Sequence, residues 1–250
     1  MTDDSDAAAD RLFPSDGARS PGPATQATKF TGTLAQIAAL WIGSDLGYYF
    51  LLPALGLPAS YSAGPVAIAI YYAFWIGMAV ITFWPLYGRW ARFESRLTGY
   101  IVWSLSFALC TLFAAYVFPL LPTVDWTESW NPPEIRLATA DYFLPKSIEI
   151  LFQQLLILAL VLALAGRGYA LRKIAVICAL AFGGMHVFLA FSGVPTGYVI
   201  RFMVAAAAFG FVFPFLMLRV PNGFAYSYMI HWIYYAVSVV LPHLFSAAVK

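Results

Sequence analysis

The sequence predicts an all-α fold: a polytopic bundle of about seven membrane-spanning helices. Three observations carry this. Of the 250 residues, 62% are hydrophobic and only 10% are charged, where a soluble domain holds about 25% charged residues. The apolar residues gather into seven runs, each close to the ~20 residues needed to cross a bilayer. Basic residues then alternate between successive loops, as they do when those loops lie on opposite sides of a membrane.

The elements follow in order. Residues 1–30 are rich in Asp, Ala, Pro and Gly and contain no apolar run, so they read as a disordered tail. No basic stretch precedes a short apolar segment, so the tail does not read as a signal peptide. Residues 31–121 hold three spans, near Leu34–Leu55, Val66–Leu86 and Gly99–Leu121. Residues 122–142 form the longest loop, acidic and aromatic, with Trp126, Trp130, Pro132 and Pro133 suited to the headgroup level. Residues 143–250 hold four more spans, near Phe143–Ala165, Ile174–Phe191, Tyr198–Leu218 and Phe224–Phe245.

Loop charge sets the expected orientation. Arg89, Arg92 and Arg96 follow the second span; Arg167, Arg172 and Lys173 follow the fourth; Arg219 follows the sixth. The loops after the first and fifth spans carry no Lys or Arg, and the loop after the third has only Arg136 in its middle. The positive-inside rule then places the amino terminus in the cytoplasm and the carboxy terminus outside, in a plasma membrane. A net charge of +2 with no basic block excludes nucleic acid as a natural partner; membrane lipid is the expected environment. Cys110 and Cys178 lie within apolar runs and read as small buried residues rather than a disulfide or a metal framework.

Polar groups at membrane depth are the functional candidates, because lipid offers them no partners. They are Asp45 in the first span, Glu149, Gln153 and Gln154 in the fourth, His186 in the fifth and His231 in the seventh. Asp45 reads as structural, pairing within the bundle or kinking the helix with Ser44 and Gly47. Arg201 reads as an interfacial snorkelling residue, and His243, near the end of the seventh span, as a wet one. Glu149 and Gln153 are four apart and share a helix face. A rise of ~1.5 Å per residue brings Gln153, His186 and His231 to similar depth, with Glu149 just outside them. They converge if the fourth, fifth and seventh helices adjoin. A carboxylate, amides and imidazoles together could activate a water or take a divalent metal. The two histidines alone could ligate a haem or a chlorophyll-type pigment. Gly183 and Gly184 beside His186 would let a neighbouring helix come close.

Three of these segments carry a resemblance. SIEILFQQLL (147–156), AFGGMH (181–186) and NGFAYSYMIHWIYYA (222–236) together resemble the CPBP or ABI family, the CAAX-protease and bacteriocin-processing proteins. Those are membrane helix bundles with glutamate-dependent intramembrane protease activity. Their motifs are Glu-Glu-x-x-x-Arg, Phe-x-x-x-His, and His-x-x-x-Asn or Asp. The resemblance covers about 143–245. It implies a catalytic set of Glu149, His186 and His231, in which the carboxylate and imidazoles activate water, with Gln153, Gln154, Phe182 and Tyr235 lining the cavity around them. The motifs differ at the chemistry. Ile148 stands where the first glutamate is expected, Gln153 where the arginine is, and Tyr235 where Asn or Asp is. In a second register Gln153 and Gln154 take the places of the glutamate pair. The implied function is a protease-like scaffold with weak or lost peptidase activity that binds a membrane partner or a prenylated or hydrophobic peptide, in a bacterial plasma membrane. The alternative is an active endopeptidase using Glu149, His186 and His231.

Overall fold

The computed structural model of the protein describes residues 23–90, 96–122, 139–192 and 194–247. Among the described residues seven helices are long and apolar enough to cross a membrane, and the fold is all-α. Helix α1 (Pro23–Leu46) widens into a π-turn (Gly47–Leu51) and closes with Leu52–Ala54. Then come α2 (Pro65–Trp90) and α3 (Arg96–Leu112), the latter ending in a second π-turn (Phe113–Val117) and a 3₁₀ turn (Phe118–Leu120). The last four are α4 (Ala140–Ala165), α5 (Leu171–Met185) with a 3₁₀ extension (His186–Ser192), α6 (Thr196–Arg219) and α7 (Gly223–Ala247). The start of α1 differs from expectation: residues 23–30 of the expected tail are helical. Pro23 suits the first helical position, where its missing N–H is no loss, and a polar turn extends readily from a formed span. The loop tryptophans Trp126 and Trp130, with Arg136, lie outside the described residues.

Helix α4 is the axis of the bundle. Inside the bundle lies 78% of its apolar stretch, against 22–56% for the other spans. Its start is specified locally: the Thr139 hydroxyl accepts from the Tyr142 N–H at 3.2 Å, and Asp141 sits in the positive first turn. Side chains from both sides tie it in. The Tyr87 hydroxyl of α2 donates to the Leu155 carbonyl at 2.9 Å, and the Trp232 indole N–H of α7 donates to the Ser147 hydroxyl at 2.9 Å. In lipid such bonds matter, because the groups would otherwise have no partner. The outward faces are apolar, with Ile70, Ile81, Trp84, Tyr100 and Leu180 all exposed, as a lipid-facing surface requires.

Helices α5 and α6 make the closest crossing. A Cβ on Gly210 of α6 would lie 2.4 Å from the Ala179 Cα of α5. A Cβ on Gly183 would meet the Met203 carbonyl and Ala207 at 3.0 Å, whereas one on Gly184 would enter open space. Only the first of the two expected glycines therefore serves close approach. Lipid tails are as apolar as side chains, so helices associate here through such backbone contact rather than through hydrophobic burial. Both cysteines are free and buried. His243 is buried rather than wet, and its Nδ1–H donates to the Pro122 carbonyl at 2.8 Å. Arg201 does more than snorkel: its guanidinium donates to the Ser238 hydroxyl of α7 at 2.6 Å.

This crossing gives a direct test. Gly210→Ala is expected to lower the thermal unfolding midpoint in detergent, at a cost of about 1–3 kcal/mol from overpacking. Gly77→Ala, whose Cβ meets nothing within 4 Å, is expected to leave it unchanged or raise it slightly, by up to about 1 kcal/mol of helix propensity.

Candidate functional site

A cavity of about 490 Å³ opens at one end of the bundle, where α1 ends, α2 and α4 begin, and the 3₁₀ extension of α5 runs. Helix α1 contributes one face at helical spacing, Trp41, Ile42, Asp45, Tyr48 and Tyr49. Helix α4 contributes Tyr142, Lys146, Glu149 and Gln153, again three or four residues apart. Met185, His186, Phe188 and Leu189 come from α5 and its extension, Phe202 from α6 and Tyr235 from α7.

Glu149 is the centre of this wall. Its Oε2 accepts from the Tyr61 hydroxyl at 2.5 Å and from the Lys146 ammonium at 2.7 Å, and its Oε1 accepts from the Gln153 amide at 2.8 Å. Lys146 and Glu149 are both buried, and three residues apart on one helix they form an ion pair. The ammonium also lies 4.2 Å from the centre of the Tyr235 ring, a cation–π contact that substitutes for lost hydration. Tyr235 thus fills the expected Asn or Asp position with an aromatic face for a lysine. Two charges inside a low-dielectric bundle cost several kcal/mol each to desolvate, and only full hydrogen bonding offsets it. Among the described residues the buried Gln153 carbonyl oxygen has no hydrogen-bond partner.

Tyr61 reaches this pair from the loop between α1 and α2. Gly56 turns the chain back with φ +72, a conformation glycine adopts without strain. The Tyr48 hydroxyl donates to the Ala59 carbonyl at 2.9 Å, and the Ser60 hydroxyl accepts from the Ala63 N–H at 3.2 Å. Burial, and then the Glu149 charge, push the Tyr61 phenol well above its ordinary value, so it stays a donor to the carboxylate. The Tyr72 hydroxyl stands 3.3 Å behind it. With Tyr61 donating to Glu149, Tyr72 donates to Tyr61.

The histidines divide. His186 lines the cavity, and its Nδ1 lies 2.8 Å from the Phe182 carbonyl. A carbonyl only accepts, so Nδ1 carries the proton and Nε2 is the remaining nitrogen. His231 stands behind the wall. Its Nδ1 pairs with the Gln154 amide at 3.1 Å, and Gln154 pairs with Ser227 at 3.0 Å. The ring of Phe182 packs edge-on against both imidazoles, with centroids 5.3 Å from His186 and 5.7 Å from His231.

The structure therefore brings Glu149, Gln153, His186 and Tyr235 onto one cavity. Gln154, Phe182 and His231 do not line it, because they sit on helix faces turned to the core. Ile148 packs on the core, while Glu149, the next residue, lines the cavity. Among the described residues Glu149 bonds to neither histidine, and no three His, Cys, Asp or Glu side chains form a metal-binding group. Lys146 and Tyr61 were not among the expected residues. Lys146-x-x-Glu149-x-x-x-Gln153 is a one-face spacing that reveals the first; Tyr61, 88 positions from its partner, gives no local signal. Asp45, expected to be structural, is on the cavity wall.

Lys146→Met alone is expected to destabilise the protein by about 3–5 kcal/mol, because it leaves an uncompensated buried carboxylate. Adding Glu149→Gln is expected to restore most of that loss, and thermal unfolding of the single and double variants measures the coupling. Equal, additive losses would show that the pair contributes no coupling. Compared with family models, with curated proteins and with solved structures, the chain finds no match.

Proposed function

We propose that this integral membrane protein binds a hydrophobic guest from the bilayer, a membrane partner's segment or a prenylated or hydrophobic peptide, without hydrolysing it efficiently. The state of Glu149 carries this reading. A general base must be in reach of the proton it takes and free to take it. Both oxygens of Glu149 instead accept from protein donors, and an ammonium neutralises its charge. The cavity walls offer aromatic and aliphatic area suited to an apolar guest. The alternation of loop charge supports a cytoplasmic amino terminus, which would open the cavity in the outer half of the membrane.

One observation favours a second reading, an active CPBP-type endopeptidase: Glu149 and His186 line the same cavity. That chemistry would need the carboxylate to leave Lys146 and Tyr61. A bis-histidine haem or pigment site has less support, since His231 does not line the cavity that His186 lines and the Phe182 ring packs edge-on against both imidazoles.

The test uses purified protein in lipid nanodiscs with fluorescent prenylated and hydrophobic peptides. Saturable binding without cleavage is the expected outcome. Cleavage that disappears in both Glu149→Gln and His186→Ala would establish the peptidase instead, and a Soret band in the purified protein would establish a haem site.

A further inference from the structure

The cavity has a sign and a mouth, and together they select a kind of guest. The sign comes from the count of charges on its wall. Glu149 is cancelled by Lys146. Asp45 remains, a carboxylate on the wall with no hydrogen bond to any described residue. His186, fixed by its Nδ1–H bond to Phe182, offers a lone pair at Nε2 in the neutral ring. A carboxylate and an imidazole lone pair accept hydrogen bonds and give none. Around them stand Trp41, Tyr48 and Tyr49, whose ring faces favour a cation.

The exposed residues of the lining, Ile42, Leu46, Tyr49 and Phe50 from α1 and its π-turn and Phe188 and Phe191 from the end of α5, put the mouth between these two segments. Trp41 and Phe182 touch at 5.7 Å between ring centres and join the two helices. Beyond that contact the cavity separates them, and both helices leave regular geometry there, α1 as a π-turn and α5 as a 3₁₀ extension. The lining residues on its rim, Phe50 at 68% and Phe191 at 84% exposure, are apolar and face outward. Rims of this kind meet lipid chains rather than water.

We infer that the guest is a single-chain amphiphile with a protonated primary amine head, which enters from the bilayer with the amine at Asp45 and the apolar chain along the α1–α5 mouth. This rests on the reading of the cavity as a binding site for a hydrophobic guest, and makes that guest a lipid-like amphiphile rather than a peptide. A primary ammonium brings both the charge and the N–H groups that Asp45 accepts; an alcohol has no charge for Asp45, and a carboxylate is repelled by it.

Radiolabelled dodecylamine is titrated onto the protein in phosphatidylcholine nanodiscs, with empty nanodiscs as background and dodecanol, dodecanoate and an N-acetylated hydrophobic peptide as competitors. Saturable dodecylamine binding is expected, with dodecanol and dodecanoate roughly tenfold weaker or more, the loss that follows from removing a charged hydrogen bond. Asp45→Asn is expected to bring dodecylamine down to the dodecanol level while dodecanol is unchanged, and Asp45→Glu to keep the preference. Dodecanol binding by Asp45→Asn also reports that it folds; if it does not fold, the preference of the unmodified protein decides. Equal affinity for all heads, an unchanged Asp45→Asn, or an acetylated peptide that outcompetes dodecylamine would overturn the amine assignment and leave the cavity reading standing. No saturable binding by any probe would overturn both.

Discussion

A lysine and a glutamate buried side by side inside a helix bundle impose the constraint on which the rest of this structure depends. Lys146 and Glu149 lie on α4, the most enclosed helix, where unpaired charge is not tolerated. Every neighbour of the pair answers that demand. Tyr61 comes in from a loop, Gln153 from the next turn of the same helix, and Tyr235 from α7 as a ring face for the ammonium. Three separate parts of the chain are thereby drawn to one point, and the cavity forms beside them. Buried ion pairs seldom add net stability over an apolar core, so the pair reads as a feature kept for what it specifies.

The same constraint separates scaffold from chemistry. Glu149 and His186 share the cavity, as a water-activating site requires, yet the carboxylate is engaged with donors and His231 is turned to Gln154 behind the Phe182 ring. Among the described residues, the cavity wall leaves Asp45 and His186 Nε2 without a hydrogen bond, beside apolar lining residues at two irregular helix ends. Irregular backbone at membrane depth is tolerated where it borders a cavity, and π-turns recur at functional sites. Recognition follows from this geometry more readily than hydrolysis does.

The spans were legible in the sequence because crossing a bilayer is a one-dimensional requirement on length and hydropathy, and all seven are present. Depth was legible only in part: Gln153 and His186, expected at similar depth, line one cavity, Glu149, expected just outside them, lines it too, and His231 does not. Azimuth was not. Gln153 and Gln154 differ by one position, about 100° around the helix, and only the first reaches the cavity. Which face of α7 carries His231 inward depends on packing against Phe182, Phe209 and Phe213, and no local pattern encodes that. Tyr61 was invisible because a loop tyrosine becomes a carboxylate partner only through the fold of Gly56–Ser60. Lys146 was readable, since its i, i+3 spacing to Glu149 marks a shared face, but apolar-run counting passes over a single charge near a helix start.

The most direct measurement is lysine-selective ¹⁵N NMR of the protein in nanodiscs at neutral pH. Lys146 shares the chain with Lys29, Lys173 and Lys250, and an exposed ammonium exchanges its protons with water too fast to be seen. A buried, fully bonded pair gives one slowly exchanging ammonium signal that vanishes in Lys146→Met and moves in Glu149→Gln. A spectrum without a protected signal, or with one that survives both substitutions, would contradict a buried, fully bonded Lys146–Glu149 pair.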